Sequence, residues 1–382
     1  MSKLDELIAE FCPNGVRYSK IKDAYKRLQG TPITAEKMKE IDNPYGDIRV
    51  FAGGKTVISA LEKDIPKANI TRAPAVLVQS RGVIDAIYYE EPFTFKNEMW
   101  AYTNENKTSV KYLYYVLKNN IQQFRDAASG MGSLPQISLK VTEDFIIPLP
   151  PLPVQQEIVR ILDNFTELTA ELTAELTAEL TARKKQYEYY RNELLTFCDD
   201  VPISTLGTVA MNLDSKRKPV TKGDRESGVY PYYGASGIVD YVIDYIFDGD
   251  YLLVSEDGAN LVARSTPIAF SASGKIWVNN HAHVLKFETY VERKFIEYYL
   301  NMIDLSRFIS TAAQPKLTQD NLNKIPVPVP TFDEQERIVT ILDRFDTLCN
   351  DLKSGLPAEI EARRKQYEYY RDKLLTFKEA SA

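Results

Sequence analysis

The sequence predicts an α+β fold: two α/β domains separated by two long helices that pair antiparallel as a coiled coil, the whole forming a pseudo-twofold internal repeat. Three observations carry this. Thr-Ala-Glu-Leu occurs three times in tandem between Thr169 and Leu180, followed by Thr181-Ala182. Ala, Glu and Leu are strong helix formers, and nothing in the run breaks a helix. The segment Gln155 to Phe165 recurs as Gln335 to Phe345, Arg183 to Arg191 as Arg363 to Arg371, and Leu194 to Phe197 as Leu374 to Phe377, all at one offset. Between the helical segments lie Gly- and Pro-punctuated β-rich stretches that also correspond: Pro135-Gln136-Ile137-Ser138 matches Pro315-Lys316-Leu317-Thr318 at the helices' own offset.

The expected boundaries are 1–147 for the first domain with its short N-terminal helix, 148–198 for the central helix, 199–325 for the second domain and 326–382 for the C-terminal helix. The stripe Ile158, Ile161, Leu162, Phe165, Leu168, Leu172 resumes with Tyr187, Tyr190 and Leu194. Residues 154–197 therefore read as one helix of roughly 65 Å at about 1.5 Å per residue. Each tetrapeptide advances the axis by about 6 Å and rotates the leucines by only about 40°. Copy number thus changes length strongly and packing phase modestly. In the second copy, Ser354-Gly355-Leu356-Pro357 replaces the tetrapeptides and predicts a kink or restart. Thr331 and Glu334 have capping-box spacing at its start. Leu4 to Phe11 reads as a short amphipathic helix. Phe11-Cys12, then Val16, Tyr18 and Ile21, echo Phe197-Cys198, then Val201, Ile203 and Leu206, which makes this stub a shortened copy of the long helix's last turns.

Strands are expected at Val50–Ala52, Ala75–Val78 and Ala86–Tyr89, and a helix at Val110–Asn119 buries Tyr112, Leu113, Tyr115 and Val116. A loop runs from Gly130 to Ser138. In the second domain Tyr230 to Gly237 reads as a glycine-rich turn, Tyr251–Val254 as a buried strand ending at Glu256-Asp257-Gly258, Lys275–Val278 as another strand, and Val291–Leu300 as a helix.

Composition bounds the function. With 26% charged and 44% hydrophobic residues, the 382-residue chain is ordinary for a soluble protein. No apolar signal core or membrane-length run is present, so no membrane partner is expected and the cytoplasm is the expected compartment. Cys12, Cys198 and Cys349 lie far apart and predict neither a disulfide framework nor zinc. The net charge of -6 argues mildly against nucleic acid. By segment it is roughly +2 over 1–147, -3 over 199–325 and -5 in the helices. Enzyme-like matches fail: Gly54-Lys55-Thr56 resembles the end of a P-loop, but Arg49 stands where its first glycine belongs. Asn43-Pro44-Tyr45 lacks the doubled proline of adenine methyltransferases, and no compact Ser/His/Asp or Cys/His set is visible.

The duplicated Arg-x-Lys-Gln-Tyr-Glu-Tyr-Tyr-Arg segments, the Thr-Ala-Glu-Leu copies, and the Tyr233-Gly234-Ala235-Ser236-Gly237 and Asp257-Gly258 turns make the whole chain resemble the DNA specificity subunits of type I restriction-modification systems. The resemblance implies two target recognition domains, each reading half of a bipartite double-stranded DNA sequence. It implies two modification subunits that methylate adenine, with restriction subunits joining them. S-adenosylmethionine, ATP and Mg are then expected on those partners only, and this chain carries no catalytic residue, cofactor or metal. Two rivals stand beside it: a self-sufficient methyltransferase or nuclease, and a coiled-coil adaptor that never meets DNA.

Candidate DNA contacts follow from residue chemistry. In the first domain they are Lys55 after Gly53-Gly54, Gln79 and Arg81 after a buried strand, and Gln136 in the proline loop. Glutamine suits adenine and arginine suits guanine in the major groove. In the second domain they are the basic cluster Lys216-Arg217-Lys218, together with Lys275 and Lys316. Tyr233, Gly234 and Ser236 join them, in a turn that either approaches phosphates or is an ordinary hairpin. His281 and His283 share one strand face, and a structural role is expected for both rather than metal. On the helices, Gln186, Tyr187, Tyr190, Arg191 and their copies Gln366, Tyr367, Tyr370, Arg371 serve either interhelical packing or docking of partner subunits.

Overall fold

The computed structural model describes residues 2–54, 56–129, 134–310, 314–351 and 353–380. In chain order, helix α1 (Lys3–Phe11) precedes strands β1 (Arg17–Lys20), β2 (Lys26–Leu28), β3 (Ile48–Phe51), β4 (Val57–Ala60), β5 (Ala75–Gln79), β6 (Asp85–Tyr89), β7 (Phe93–Phe95) and β8 (Trp100–Thr103). Helix α2 (Lys107–Asn119), strand β9 (Ile146–Leu149) and the long helix α3 (Leu152–Leu194) follow. Next come β10 (Ile203–Thr205), β11 (Met211–Asn212), β12 (Ser227–Gly234), β13 (Gly237–Val242), β14 (Phe247–Ser255), β15 (Ala269–Val278), β16 (Ala282–Lys286), helix α4 (Tyr290–Met302) and β17 (Pro326–Pro328). Helices α5 (Phe332–Asn350) and α6 (Leu356–Leu375) end the chain. The mixed fold with a long helix is the one the sequence predicts, and the chain divides into two compact units. One holds Met1–Glu175 with Ile360–Ala382, the other Leu176–Glu359. Each unit therefore owns part of each helical copy.

In the first unit a four-stranded sheet of order β2-β8-β5-β6 lies beside a three-stranded sheet of order β4-β3-β7. Strand β5 (Ala-Val-Leu-Val-Gln) is buried along its whole length, as a near-continuous apolar run demands. Tyr112, Leu113 and Val116 of α2 join Ile158 and Leu162 of α3 and Leu375 of α6 in the main core. In the second unit one six-stranded sheet has the order β11-β16-β14-β15-β12-β13. Its face packs with Phe295 and Ile296 of α4, Ile338 and Leu342 of α5, and Leu195.

The duplication extends to single hydrogen bonds. Tyr115 on α2 donates its hydroxyl to Asp163 at 2.6 Å, and Tyr298 on α4 donates to Asp343 at 2.6 Å. Gln155 donates to the Pro150 carbonyl at 2.7 Å, and Gln335 to that of Pro330 at 3.0 Å.

Three expectations are refined. Helix α3 ends at Leu194 rather than 197, because Leu195 leaves it to enter the core and Thr196 turns its hydroxyl back to the Asn192 carbonyl at 2.6 Å. The break in the second copy falls at Asp351–Gly355. A Cβ on Gly355 would lie 2.5 Å from the Thr347 carbonyl oxygen and 2.7 Å from that of Leu348, so the chain folds back tightly there. At Thr331 only half of the expected box forms: its hydroxyl accepts from the Glu334 amide at 3.4 Å, while the Glu334 carboxylate turns to Arg337.

The stub differs from its expectation more deeply. The core places that Leu194, Leu195 and Phe197 take in the second unit are taken in the first by Leu374, Leu375 and Phe377. The C-terminal segment then pairs with Val16, whose amide donates to the Lys378 carbonyl at 2.9 Å. Helix α1 is an added element, capped by Ser2 and pinned by Lys3 to the buried Glu157 at 3.2 Å.

Ile158 and Ile338 are equivalent and fully buried. Ile158→Ala and Ile338→Ala are each expected to destabilise their own unit by about 3 kcal/mol. Hydrogen exchange resolved by segment checks this, with the loss of protection confined to α2 for the first and α4 for the second.

Candidate nucleic-acid interface

Both units end in the same construction, in which short turns at strand ends are tied by peptide hydrogen bonds. In the second unit β14 runs into Glu256-Asp257-Gly258. Gly258, at φ +104°, donates its amide to the Pro315 carbonyl at 3.2 Å, a backbone conformation that favours glycine. Leu317 donates to the Glu256 carbonyl at 2.7 Å, Glu256 to that of His281 at 2.9 Å, and Asn279 to that of Tyr233 at 3.1 Å. The Ser255 hydroxyl bonds the Ala235 carbonyl.

The first unit repeats the pattern. Gly82, at φ +76°, donates to Pro135 at 2.9 Å, and Ile137 to Ser80 at 2.9 Å. Gly54 donates to Arg81 at 3.3 Å, and the Gln79 amide bonds the Gly54 carbonyl at 2.5 Å. The Ser80 hydroxyl reaches the carbonyl of Glu98 at 2.5 Å, and the Glu98 side chain accepts from the Gly53 amide at 3.0 Å. Four turns thus converge in each unit: 53–54, 81–82, 98 and 135–136 in one, 234–236, 257–258, 279–281 and 315–316 in the other.

The expected contact residues divide against this frame. Arg81, Gln136, Ser236 and Lys316 are exposed at the converging turns. Lys216 and Lys218 are exposed on a loop tied to the same end of the sheet, since Lys218 donates its amide to the Val278 carbonyl at 3.3 Å. Lys55 lies outside the described residues, as does Gly130–Ser133 of the expected loop. Gln79 is buried, and its amide is turned onto the Gly54 carbonyl. Tyr233 belongs to strand β12 rather than to a turn, and its ring stacks on Phe270 with centroids 6.1 Å apart. Gly234 is buried because a Cβ there would meet Val239 at 3.1 Å, a packing reason for glycine and not an open approach. Only Ala235 and Ser236 make the turn, the hairpin between β12 and β13. Lys275 sits within β15, its ammonium 4.6 Å from the Tyr245 ring centroid, away from the four turns.

Arg217 does not face outward. It bonds Glu256 at 2.5 Å and the Ala282 carbonyl at 2.9 Å, in a buried cluster with Asp214 and His283. His283 is fully buried, with Nδ1 2.6 Å from Asp214 and Nε2 2.8 Å from the Leu317 carbonyl, so its role is structural as expected. Burial alone would raise the Asp214 and Glu256 carboxyls. Hydrogen bonds from His283 to the first and from Arg217 and Lys316 to the second win, and both are held below their ordinary values. Among the described residues no group of three His, Cys, Asp or Glu is placed to hold a metal. No described helix is long and apolar enough to cross a membrane.

Four further residues of these turns were not among the candidate contacts: Glu98, Asp257, Asn279 and His281, the last expected to be structural. Aligning the Arg81-Gly82 and Asp257-Gly258 steps by their common glycine was the available signal.

On the helices, interhelical packing claims most of the candidates. Tyr187 and Tyr190 meet Phe345 with centroids 6.3 and 5.7 Å apart, and the Arg191 guanidinium lies over Tyr187 at 5.7 Å. In the first unit Tyr370 meets Phe165 at 5.9 Å, Tyr367 bonds Thr166 at 3.0 Å, and Arg371 bonds Asn119 at 3.0 Å. Gln186 accepts from Arg183 at 2.9 Å, while Gln366 lines a hollow with Phe165, Leu168 and Leu172. The unselected Tyr189 and Tyr369 are both 63% exposed, against 37% for Tyr190 and 40% for Tyr370.

Residues 13–182 and 199–362 match the family described as type I restriction modification DNA specificity domain. The chain belongs to that family. This specificity subunit is 33% identical over 371 residues to the EcoR124I/EcoR124II specificity subunit of Escherichia coli, covering 89% of each protein. It is 37% identical over 185 residues to a putative type I specificity subunit of Haemophilus influenzae, a match spanning about half of each, 47%. Among solved structures, the type I S subunit of M. genitalium matches at TM-score 0.51 and 19% identity over 94% of this chain and 96% of that one. A chain from a structure of type I assembly and conformational transition matches at 0.60 and 15%, over 95% and 98%. Both likenesses concern the fold. Specificity subunits are the non-catalytic members of type I systems, so the self-sufficient enzyme is set aside.

Replacing Glu256 strips Arg217 and Lys316 of their shared carboxylate. Glu256→Gln is expected to destabilise the second unit by about 3 kcal/mol. Because folding holds Asp214 and Glu256 below the ordinary 3.8 and 4.5, the unfolded chain binds more protons in acid. The native protein should lose this stability as pH falls below about 4.5, and the variant should show a shallower loss. Denaturation followed through Trp277 in a Trp100→Phe background, from pH 7 to pH 3, checks both.

Proposed function

We propose that each unit of this specificity subunit reads one half of a bipartite double-stranded DNA target through its four converging turns, with the helices as the spacer between the halves. The observation that carries the reading is that the two ends share peptide hydrogen bonds and glycine turns while the exposed tips differ: Arg81 and Gln136 in one, His281 and Lys316 in the other. A shared frame with unlike tips is what two readers of unlike sequences require, since phosphate contacts position and base contacts specify.

Two modification subunits would dock on the duplicated helices, and the exposed Tyr189 and Tyr369 are suited to that as paired aromatic anchors. Restriction subunits would join them. S-adenosylmethionine, ATP and Mg would reside on those partners, and the assembly would act in the cytoplasm.

Two outcomes are expected of the complete modification enzyme. Deleting Thr173–Leu176 shortens the helix by about 6 Å and should shorten the unspecified gap by one or two base pairs at about 3.4 Å each, leaving both half-sites unchanged. Sequencing of methylated adenines reads this directly, and an unchanged gap defeats the spacer role. Arg81→Ala should relax or change one half-site and leave the other intact. Loss of selectivity in both halves would mean that the units do not read independently.

A further inference from the structure

We infer that His281 reads a base edge in the second unit's half-site and that Asp257 is a positioning residue that sets which kind of base it accepts. The inference rests on the proposal that this unit reads DNA.

His281 stands at the step from β15 into β16, beside the Asp257-Gly258 turn. Its backbone is fixed twice: the amide donates to the Asn279 side chain at 2.8 Å, and the carbonyl accepts from Glu256 at 2.9 Å. Its side chain does no further work in holding the turn except toward one partner. Nδ1 lies 2.8 and 3.0 Å from the two oxygens of Asp257, whose carboxylate is only 15% exposed. The ring itself is 48% exposed, and Nε2, across the ring, has no protein partner among the described residues. This is the opposite of His283, two residues on, where both ring nitrogens are engaged and the ring is buried.

A carboxylate only accepts, so Nδ1 carries the proton given to Asp257. In the neutral ring this fixes Nε2 as an acceptor, with the Asp257 carboxylate holding both the tautomer and the orientation of the ring. An acceptor held at the tip of a reading unit recognises the exocyclic amino group of adenine or cytosine in the major groove. A phosphate, itself only an acceptor, offers such an atom no bond.

The first unit supports the assignment by contrast. The same two turns there carry Arg81 and Glu98, the base on the turn after the buried strand and the acid on the following one. Glu98 is fixed by Lys96 at 2.8 Å and by the Gly53 amide. In the second unit the polarity is reversed: the acid, Asp257, follows the strand and the base, His281, occupies the next turn. The frame is constant and the pair at its tip is exchanged, which is how a position that sets sequence should differ from one that holds the fold.

The test uses the complete modification enzyme, wild type, His281→Ala and Asp257→Asn, on a DNA library with one half-site randomised at a time, read by sequencing of methylated adenines. His281→Ala should lower discrimination at one position of one half-site by about tenfold, with the gap and the other half unchanged. An asparagine at 257 can donate its amide N–H to Nδ1, leaving the proton on Nε2. Asp257→Asn should therefore shift that same position from bases bearing an amino group toward guanine or thymine, whose O6 and O4 accept. Thermal unfolding shows whether each variant is folded, and His281→Phe, which keeps a planar ring without either nitrogen, takes the place of His281→Ala if alanine does not fold. An unchanged target in folded His281 variants overturns the inference, and so does a uniform loss across the half-site. A chain that does not read DNA would also fail the Arg81 and spacer tests, whereas failure confined to His281 leaves those results standing.

Discussion

The constraint on which the rest depends is the fastening of each reading unit to its helical copy. In each unit a tyrosine on the domain helix gives its hydroxyl to an aspartate on the long helix, Tyr115 to Asp163 and Tyr298 to Asp343, above fully buried Ile158 and Ile338. Burial, with the carboxylate beside it, drives both hydroxyls well above their ordinary range, so neither yields its proton near neutrality. On the proposed reading, a flexible joint at this point would loosen the relation between helix length and the gap in the target. The apolar contacts supply most of the stability, and the hydrogen bond adds a directional tie between the domain helix and the long helix.

From that fastening the strands carry the turns outward, and the turns are stiffened by peptide hydrogen bonds together with a few side chains such as Ser80, Glu98 and Ser255. Gly82 and Gly258 adopt positive φ so that their amides can reach Pro135 and Pro315. Since these bonds use peptide groups, they survive almost any change in the exposed side chains around them. This separates the cost of holding the frame from the choice of what to read. It explains why the frame recurs in both units while Arg81 and Asp257, or Gln136 and Lys316, share places without sharing chemistry.

The helical frame was legible in the sequence because periodicity and repetition survive without tertiary context. Ile158 and Ile338, the break at Gly355 and the ends of α2 and α4 fall close to where pattern places them. The candidate contacts were legible only in part, because a side chain's chemistry does not reveal its partner. Gln79 looks like a base reader until its amide is seen on Gly54, and Arg217 looks like a phosphate ligand until Glu256 closes on it. Conversely, the pattern placed His281 with His283 as structural and did not show its pairing with Asp257, which spans residues 24 apart in the chain. The stub was misjudged for a related reason. The echo of Phe197-Cys198 in Phe11-Cys12 is real, but the chain's own C-terminus reaches Val16 and fills that place.

The same pairing bears on where binding energy comes from. Sequence-independent affinity for DNA grows with the number of phosphates neutralised by lysine and arginine. In the second unit Arg217 is held by two carboxylates, Lys316 shares Glu256 at 3.0 Å, and Lys275 lies over Tyr245. Lys216 and Lys218 remain exposed beside the turns, in a chain of net charge -6. A second unit so sparing with unpaired cations among the described residues of its tips is poorly equipped to hold a duplex by charge alone. On the proposed reading, its contribution is discrimination, and the electrostatic grip falls to the subunits that assemble on its helices. That division has a physical advantage: weak unspecific attraction in the reader raises the ratio of specific to non-specific binding, which is the quantity a genome full of competing sites demands.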